Sequence, residues 1–305
     1  MKRPEDPLLV RLAGLPSPFL LGVSGGCDSC ALLHAAVTAG LSPVVLHFDH
    51  GWRKTGAVES RFVRALAKCH GLSCVTGKAP ADAAHNESTA RRQRWAFFRR
   101  AAKRLGIDRI VLAHHADDQA ETFLLQLLRG TGSGWHGMAA TSVQEGLTVH
   151  RPWLEVGRRE IEAYARAEGL AWHDDPTNLD QGPLRNRLRH RLIPLLEAEF
   201  EPAVRARLGR AAEIQRANQE WLDALVAEEA RAERLPVARL RALPVGHQRH
   251  LLRAWLRGRK IADLSFADIE AARGLLFRER PARINLSGGF HLRRQSGFMF
   301  ISSKK

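Results

Sequence analysis

The sequence predicts an α/β fold in which a mostly parallel β-sheet carries helices on both faces, followed by a small α+β domain. Short apolar runs alternate with longer stretches of helical periodicity over the first half of the chain, which is the pattern of consecutive βαβ units. A glycine-rich turn directly follows the first apolar run. These observations indicate a Rossmann-like sheet, whose ligands bind beyond the C-terminal ends of the strands.

The elements of this sheet follow from the apolar runs and the helical patterns between them. We predict strands at Pro18–Val23, Val44–Phe48, Ser73–Thr76, Arg109–Ala113 and Leu147–His150. We predict helices at Ser29–Ala39, Val58–His70, Glu87–Leu105, Asp117–Arg129 and Arg158–Glu168.

The pattern changes in the last third of the chain. Residues 183–233 are largely helical in pattern, and Pro236 and Pro244 introduce a new segment. That segment contains two helical patterns, Gln248–Leu256 and Phe266–Leu276, and then short strands joined by glycine-containing turns. The predicted strands are Ile284–Leu286, Phe290–Arg293 and Phe298–Ile301. We therefore predict a main domain over residues 1–200, a helical linker over 201–234 and a small domain over 235–305.

The charge of the chain favours a polyanionic partner. The net charge is +15 and the isoelectric point is near 10.8. Residues 201–305 carry 21 Lys and Arg against 11 Asp and Glu, so two-thirds of the excess lies there. Nucleic-acid binding is the natural interpretation, and a composition rich in arginine is the alternative.

Cysteine content and hydropathy predict a cytoplasmic protein that does not bind a membrane. The 4 cysteines are too few for a disulfide framework in a chain of 305 residues. No segment reaches the roughly 18 apolar residues of a membrane span. Residues 1–6 are charged, and no signal-peptide cleavage site follows them.

The first candidate site is the segment Ser24–Ser29, which reads SGGCDS and lies between a strand and a helix. Two glycines let the backbone approach a phosphate closely, and the following helix directs free N–H groups at the anion. The carboxylate of Asp28 is suited to a bridging Mg²⁺ rather than to direct phosphate contact. The segment therefore predicts a nucleotide phosphate site.

The second candidate site is the segment His114–Thr122, which reads HHADDQAET and opens a helix after a strand. Asp118 and Glu121 are spaced to share one helix face, as are Asp117 and Glu121. Such a cluster is suited to an ammonium group or a metal ion. Zinc binding by His114 and Asp118 is a rival interpretation, but no third ligand has matching spacing.

Further segments add basic and aromatic side chains to the predicted site. The second strand ends in LHFDHGWR at residues 46–53, and residues 90–95 read ARRQRW. On a helix, Arg91, Arg94 and Trp95 fall on one face that suits a phosphate or a base. The glycine-rich segment Arg129–Met138 resembles a mobile loop. An acidic turn at 174–180 precedes RNRLR at residues 185–189, where arginines suit phosphate or carboxylate.

These segments carry a resemblance to a known family. SGGCDS is similar to the SGGxDS loop of the N-type ATP pyrophosphatases, or PP-loop superfamily, which cleave ATP to AMP and pyrophosphate and adenylate a substrate oxygen. The other segments, together with RPWL at residues 151–154, resemble the HxDHxxR, ARxxRY, HHxDDQAET, RGSG…GM, RPLL and RNxxR elements of the tRNA(Ile)-lysidine synthetases. Trp95 replaces the tyrosine, and the glycine-rich segment is slightly shorter. The resemblance is dense from residue 18 to about residue 197.

The resemblance implies an ATP- and Mg²⁺-dependent ligase. Its substrates are free L-lysine and the wobble cytidine in the CAU anticodon of tRNA(Ile), which is modified at carbon 2 through an adenylated intermediate. The implied ATP contacts are Ser24, Gly25, Gly26, Cys27, Asp28, Ser29, His47, Phe48 and Asp49, with the metal at Asp28. The implied catalytic residues are Asp28, His114, Asp117, Asp118 and Glu121. Arg91, Arg94, Trp95, Arg185, Asn186, Arg189, Arg253 and Arg257 are the expected substrate and tRNA contacts.

Two other functions compete with this one. A PP-loop tRNA thiolase fits the CxxC spacing of Cys27 and Cys30, although Cys27 fills the variable position of the SGGxDS loop. A non-catalytic RNA-binding protein on a decayed ATPase domain is the second, but the polar positions of both main motifs are intact. The identity of the general base, the basis for rejecting tRNA(Met) and the oligomeric state stay open at this point.

Overall fold

The structure, a computed structural model, describes residues 6–52, 56–80, 86–130, 134–173, 184–261, 264–277 and 279–303. The chain forms two compact units. The N-terminal unit contains residues 1–121 and 138–209, and the C-terminal unit contains residues 122–137 and 210–305. The boundaries after residues 121 and 209 fall inside helices, and the boundary after residue 137 does not. Within the described ranges, no helix has the length and hydropathy required to cross a membrane.

The N-terminal unit contains a sheet and the helices that cover it. Its strands are β1 Leu20–Gly22, β2 Val44–Asp49, β3 Cys74–Lys78, β4 Arg109–Val111, β5 Thr141–Gln144 and β6 Leu147–His150. Its helices are α1 Pro7–Val10, α2 Cys27–Thr38, α3 Gly56–Cys69, α4 Glu87–Leu105, α5 Ala116–Leu128, α6 Arg158–Ala167, α7 Leu184–Arg187, α8 Ile193–Glu199 and the start of α9 Val204–Val226. A π-helical turn, Leu188–Leu192, joins α7 to α8.

The sheet confirms the predicted fold class. The strand order is β3-β2-β1-β4-β6-β5, and all neighbours are parallel except β5 and β6. The chain builds outward from β1 in one direction through β2 and β3, and then returns to add β4 on the other side. Ligands bind at such a change of direction in open α/β sheets. The C-terminal ends of β1, β2 and β4 therefore define where the site lies.

Apolar side chains on both faces hold this sheet between its helices. One cluster joins α2 and α6 to one face and includes Leu32, Val45 and the fully buried Trp153. The other joins α4 to the opposite face and includes Leu20 and Phe98. With helices on both sides, β1 and β4 each have two buried residues out of three, as parallel strands in such folds are mostly buried.

The C-terminal unit has its own core and a four-stranded antiparallel sheet. It contains the remainder of α9, then α10 Val237–Ala242, α11 Val245–Gly258 and α12 Phe266–Gly274. Its strands are β7 Leu235–Pro236, β8 Arg283–Asn285, β9 Phe290–Gln295 and β10 Phe298–Ser303, in the order β7-β10-β9-β8. Trp255 lies at the centre of its core. This unit has the predicted α+β character, while the domain boundaries predicted at residues 200 and 235 stay predictions.

Candidate active site

A cavity of about 500 Å³ lies in the N-terminal unit, where β1, β2 and β4 end. The segments that follow these three strands line it together. The predicted site residues that line it are Ser24, Gly25, Gly26, Cys27, Asp28, Ser29, His47, Phe48, Asp49, Arg94, His114, Asp118 and Arg189. The strand ends therefore bring together both of the strong sequence motifs.

The loop after β1 is closed on itself by the hydroxyl of Ser29. The backbone N–H groups of Ser24 and Gly25 donate to Ser29 Oγ at 3.1 and 3.3 Å, and this hydroxyl donates to Gly26 O at 3.0 Å. Gly25 has φ +97°, a conformation in which a side chain would be strained. Ser29 and Gly25 thus fix the loop in a tight turn at the floor of the cavity.

Helix α2 starts in this turn without a capping side chain. Its N-cap is Gly26, which has no side-chain acceptor for the first helical N–H groups. The start of α2 therefore offers N–H donors and the positive end of the helix dipole to an anion in the cavity. Asp28 Oδ1 is buried and makes no hydrogen bond with any described residue.

The end of β2 contributes His47, Phe48 and Asp49. Nδ1 of the buried His47 is 2.9 Å from Val23 O, so this nitrogen carries the proton that is donated to the carbonyl. Burial lowers the pKa of His47, which keeps the imidazole neutral. Its Nε2 is a buried acceptor with no partner among the described residues. The ring of Phe48 packs against His50, with centroids 5.1 Å apart.

His115 joins the two strong motifs, although only its neighbour His114 was selected from the sequence. His115 is buried, and its Nε2 lies 3.6 Å from Asp28 Oδ2 and 3.4 Å from Asp118 Oδ2. Burial opposes the charged form, but the carboxylates of Asp28, Asp118 and Asp117 outweigh it and raise the pKa of His115. The available signal was the position of His115 between the end of β4 and the start of α5, directly beside His114.

His114 has the opposite character. Burial lowers its pKa to about 3, and Arg151, Arg94 and Arg185 act in the same direction. His114 is therefore neutral at physiological pH, and its buried Nδ1 has no partner among the described residues. The guanidinium of Arg151 lies in the interior and donates to Ala139 O at 2.8 Å.

Asp118 and Glu121 bind two arginines that come from the α7 region. Arg185 donates to Glu121 Oε2 at 2.8 Å and to Asp118 Oδ1 at 3.0 Å. Arg189 donates to both oxygens of Glu121, at 2.5 and 3.0 Å, and to Asp118 Oδ1 at 3.2 Å. Burial opposes ionisation of Asp118, but His115, His114 and the two arginines outweigh it and lower its pKa.

Asp117 points away from the cavity. Its Oδ2 accepts from Arg205 Nη1 at 2.7 Å, and its Oδ1 accepts from the backbone N–H of Arg158 at 3.1 Å. Arg205 also binds Glu197 at 2.8 Å. Asp117 therefore connects α5 to the starts of α6 and α9. Arg205 lies 88 residues from Asp117 in sequence, so no local pattern predicted this partner.

The three residues predicted to share a helix face, Arg91, Arg94 and Trp95, lie in different environments. Arg91 is exposed and Arg94 lines the cavity. The ring of Trp95 is only 4% exposed and packs edge-on against Phe98, so in this structure it is not available to stack on a base. Asn186 is half-buried on α7 beside Arg185.

Three other segments predicted from the sequence fall partly or wholly outside the described residues. Arg53, residues 131–133 and the acidic turn 174–180 lie outside the described residues. The end of the glycine-rich segment is described: Met138 N donates to Gln119 Oε1 at 2.6 Å, and Gln119 Nε2 donates to Met138 O at 2.9 Å. Gln119 thus pairs with the backbone of Met138 and fixes the end of that segment.

In the C-terminal unit, the basic residues of α11 have different environments. Arg257 is exposed, and Arg253 is half-buried with a pKa lowered by burial. Other basic residues of this unit hold its structure together. Arg249 binds Glu270 at 2.6 Å, Arg259 donates to Trp255 O at 2.9 Å, and Arg294 donates to Leu275 O at 2.9 Å.

Cys30 lacks the features of a reactive thiol. Cys27 and Cys30 are buried on α2, and burial raises the pKa of Cys30 to about 12, so its thiol stays protonated. Across the residues that the structure describes, no three or more His, Cys, Asp or Glu side chains form a group able to hold a metal ion. That arrangement argues against the zinc interpretation of His114 and Asp118.

Comparison with known families supplies two matches to parts of this chain. A family described as a PP-loop domain matches residues 13–196. A second, described as the TilS substrate binding domain, matches residues 235–298.

Individual relatives match over nearly the whole chain. The tRNA(Ile)-lysidine synthase of Thermus thermophilus is 40% identical over 314 residues, which cover 96% of this chain and 58% of the relative. That of Exiguobacterium sibiricum is 34% identical over 292 residues, which cover 92% of this chain and 68% of the relative. The chain thus spans little more than half the length of the Thermus protein.

Among solved structures, the U34-tRNA thiolase NcsA of Methanococcus maripaludis, determined with its 4Fe-4S cluster, superposes with a TM-score of 0.54. The superposition covers 64% of this chain and 71% of the thiolase at 14% identity, so it supports the PP-loop fold alone.

Proposed function

The chain belongs to the tRNA(Ile)-lysidine synthase family, and from that premise we propose that it makes lysidine at the wobble cytidine of tRNA(Ile). The proposed reaction joins free L-lysine to carbon 2 of the cytidine in the CAU anticodon and converts ATP to AMP and pyrophosphate. One observation carries the proposal: the loop Ser24–Ser29 and the α5 carboxylate Asp118 line the same cavity, with His115 between Asp28 and Asp118.

The first step is adenylation of the cytidine. We assign the β- and γ-phosphates of ATP to the loop Ser24–Ser29 and the start of α2, where N–H donors and the helix dipole favour an anion. The adenosine lies against the end of β2, where the buried Nε2 of His47 is available to accept a hydrogen bond. The O2 of the cytidine attacks the α-phosphorus, the new P–O bond forms, and pyrophosphate leaves.

Asp28 suits a magnesium ion at this position. Its Oδ1 is buried and unpartnered among the described residues, and carboxylate oxygens are ligands that Mg²⁺ prefers. One carboxylate together with substrate phosphates and water is an ordinary set of Mg²⁺ ligands. When bound, Mg²⁺ supplies positive charge that offsets the charge on the departing pyrophosphate.

The second step is attack by lysine. The ε-amine attacks carbon 2 of the adenylated cytidine, the C–N bond forms, and the bond from carbon 2 to the AMP oxygen breaks. We assign the ammonium end of lysine to Asp118, which lines the cavity together with His114. The ammonium must lose its proton before it attacks, and this proton passes to the carboxylate and on to water. Asp117 supports this helix start from behind through Arg158 and Arg205.

The tRNA contacts extend over both units. We assign Arg91, Arg94, Arg185, Asn186 and Arg189 to the neighbourhood of the flipped-out anticodon base, which must leave its stack to react. We assign Arg253 and Arg257 to the tRNA body. The match of residues 235–298 to a substrate binding domain supports the second assignment, and contacts to phosphates position a nucleic acid without reading its sequence.

One experiment tests the whole reaction. The protein is incubated with ATP, Mg²⁺ and labelled lysine, together with tRNA(Ile) or tRNA(Met) that each carry a CAU anticodon. We expect label in tRNA(Ile) only, and only when ATP is present. Absence of label from tRNA(Ile), or equal labelling of both tRNAs, contradicts the proposal.

A second experiment addresses the two competing functions. Replacement of all four cysteines by Ser or Ala leaves a lysidine synthase active and abolishes sulfur transfer by a thiolase. We expect the cysteine-free protein to keep lysine ligation within about threefold, because Cys27 fills the variable position of the SGGxDS loop and Cys30 is buried on α2. tRNA-dependent exchange of labelled pyrophosphate into ATP separates the synthase from a non-catalytic RNA-binding protein.

A further inference from the structure

Glu121 has no room for a substrate ammonium group. Its side chain is 0% exposed, and both of its oxygens accept from guanidinium groups. Arg185 Nε and Arg189 Nη2 share Oε2, while Arg189 Nε approaches Oε1 at 2.5 Å. A lysine side chain could reach this carboxylate only after both arginines had left it.

Arg189, in contrast, reaches the cavity. Its side chain is 19% exposed and lines the same space as Asp28 and the loop Ser24–Ser29, whereas Glu121 is not among the lining residues. Arg189 therefore stands between the buried carboxylate and the nucleotide site.

The local backbone explains how two arginines converge on one carboxylate. Arg185 lies on the short α7, and Arg189 lies in the π-helical turn Leu188–Leu192 that follows. A π-helical turn has i→i+5 hydrogen bonds, which widen the helix, and is frequent at functional sites. In this turn the Arg189 fork spans Glu121 and Asp118 at once, so the guanidinium plane is fixed by three hydrogen bonds.

We propose that Glu121 is a positioning residue that holds Arg189 at the α-phosphate of ATP during adenylation, and that Glu121 does not contact lysine. This inference rests on the proposed function. It gives Glu121 a role there and places Arg189, assigned above to the neighbourhood of the anticodon base, at the phosphate that this base attacks. In the step concerned, the cytidine O2–P bond forms and the bond from phosphorus to pyrophosphate breaks. Negative charge develops on the phosphoryl oxygens, and a guanidinium held in advance stabilises that charge without reorganising.

The two possible roles of Glu121 differ in which half-reaction they affect. Adenylation requires ATP and tRNA but no lysine, so tRNA-dependent exchange of labelled pyrophosphate into ATP measures it alone. A positioning residue for Arg189 changes this exchange. A lysine ligand leaves exchange intact and raises the KM for lysine.

The test is Glu121→Gln in the full chain, assayed at saturating tRNA. We expect exchange to fall by about 100-fold, the size of effect seen when one donor to a developing anion is lost or misplaced. We expect the KM for lysine in the complete reaction to stay within about twofold of wild type. Exchange within about threefold of wild type, together with a KM for lysine raised tenfold or more, overturns the inference.

Glu270 offers a matched control, because it also binds two arginines, Arg249 at 2.6 Å and Arg273 at 2.9 Å, but lies in the C-terminal unit. Glu270→Gln removes the same kind of interaction and is expected to leave exchange unchanged at saturating tRNA. Glu121→Asp keeps a carboxylate that can still bind Arg189. We therefore expect this variant to recover part of the exchange that Glu121→Gln loses.

Loss of folding is separated by a second variant. Arg189→Lys keeps the buried positive charge but loses the guanidinium fork, and we expect it to melt near wild type while exchange falls by at least tenfold. Normal exchange in a folded Arg189→Lys protein contradicts the inference, whatever Glu121→Gln does. If wild-type protein itself shows no tRNA-dependent exchange, the proposed function fails rather than the assignment of Glu121.

Discussion

Two carboxylates in this chain each bind a pair of arginines, and their surroundings could hardly differ more. Glu121, in the N-terminal unit, is 0% exposed, whereas Glu270, on α12 of the C-terminal unit, is 27% exposed. Water screens the exposed group, so its ion pairs contribute little to stability. The charge of the buried Glu121 must be fully balanced by its arginine partners, because removing one partner leaves an unbalanced charge in the interior.

The same difference separates the two units as a whole. The interior of the N-terminal unit contains the charged or polar side chains Ser29, His47, His115, Glu121 and Arg151, most of them next to the cavity. The buried core of the C-terminal unit is built mainly from apolar residues around Trp255, and its arginines lie at or near the surface. We infer that the N-terminal interior carries the chemistry and that the charge of the C-terminal unit serves binding.

The largest expected effect tests the chemical half of this comparison. Asp28→Ala should lower tRNA-dependent release of pyrophosphate by about 100-fold or more, because it removes the carboxylate suited to Mg²⁺ beside the phosphate loop. Pyrophosphate release at saturating ATP is the measurement. Asp108→Ala is the control, since Asp108 is a carboxylate of the same unit that is 75% exposed. A near wild-type rate in Asp28→Ala removes Asp28 from the mechanism.

A smaller effect is expected at the other end of the cavity. Asp118→Asn should raise the KM for lysine by about tenfold, the equivalent of one charge-assisted hydrogen bond of about 1.5 kcal/mol. ATP binding should be unchanged, because the phosphate loop does not involve Asp118. Initial rates over a range of lysine concentrations check this. Normal lysine kinetics in Asp118→Asn remove its assigned role and break the distinction drawn between Asp118 and Glu121.

The fold was largely predictable, because apolar periodicity reports local structure. The helix Glu87–Leu105 and the strand Leu147–His150 were predicted with the bounds that the structure has. Strand β5 was missed because TSVQ is not an apolar run. The following pair Glu145 and Gly146, with φ 53° and 80°, forms the tight turn that joins β5 to β6.

The position of the site was predictable from the sequence, but the hydrogen bonds and ion pairs between its side chains were not. Motif positions after parallel strands placed both the phosphate loop and the α5 carboxylates at one cavity. The partners of Glu121 lie 64 and 68 residues away in sequence, so no local pattern could assign them. Burial of Trp95 likewise depends on tertiary packing against Phe98, which the helical spacing of residues 91–95 does not reveal.

A moderate effect is expected from the exposed charge of the C-terminal unit. Arg257→Gln should weaken tRNA binding a few-fold and make the dependence of affinity on salt shallower by about one unit of slope, as expected for one lost phosphate contact. The kcat at saturating tRNA should not change. Filter binding over a range of salt concentrations is the measurement.

Arg239→Gln is the control for this variant, because the Arg239 guanidinium is already paired with Glu229 at 3.2 Å. Equal effects of Arg257→Gln and Arg239→Gln indicate that charge at the surface of this unit acts without any defined contact. No effect of either variant contradicts the binding role of the unit.

The smallest expected effect concerns Glu270 and the response of the C-terminal unit to acid. Hydrogen bonds from Arg249 and Arg273 lower the pKa of Glu270 from 4.5 to about 2. A carboxyl group whose pKa is lowered by folding stabilises the folded state above its unfolded pKa, and this stabilisation disappears as the pH falls through the folded value.

The melting temperature of wild type should therefore exceed that of Glu270→Gln by a small, constant amount above about pH 4.5. The difference should shrink steadily toward pH 2, and high salt should reduce it at every pH, because the ion pairs are partly exposed. A difference that stays constant down to pH 2 contradicts the assignment of ion pairing to Glu270. If Glu270→Gln lowers the melting temperature as much as Glu121→Gln does, the contrast between the buried and the exposed arginine pairs is lost.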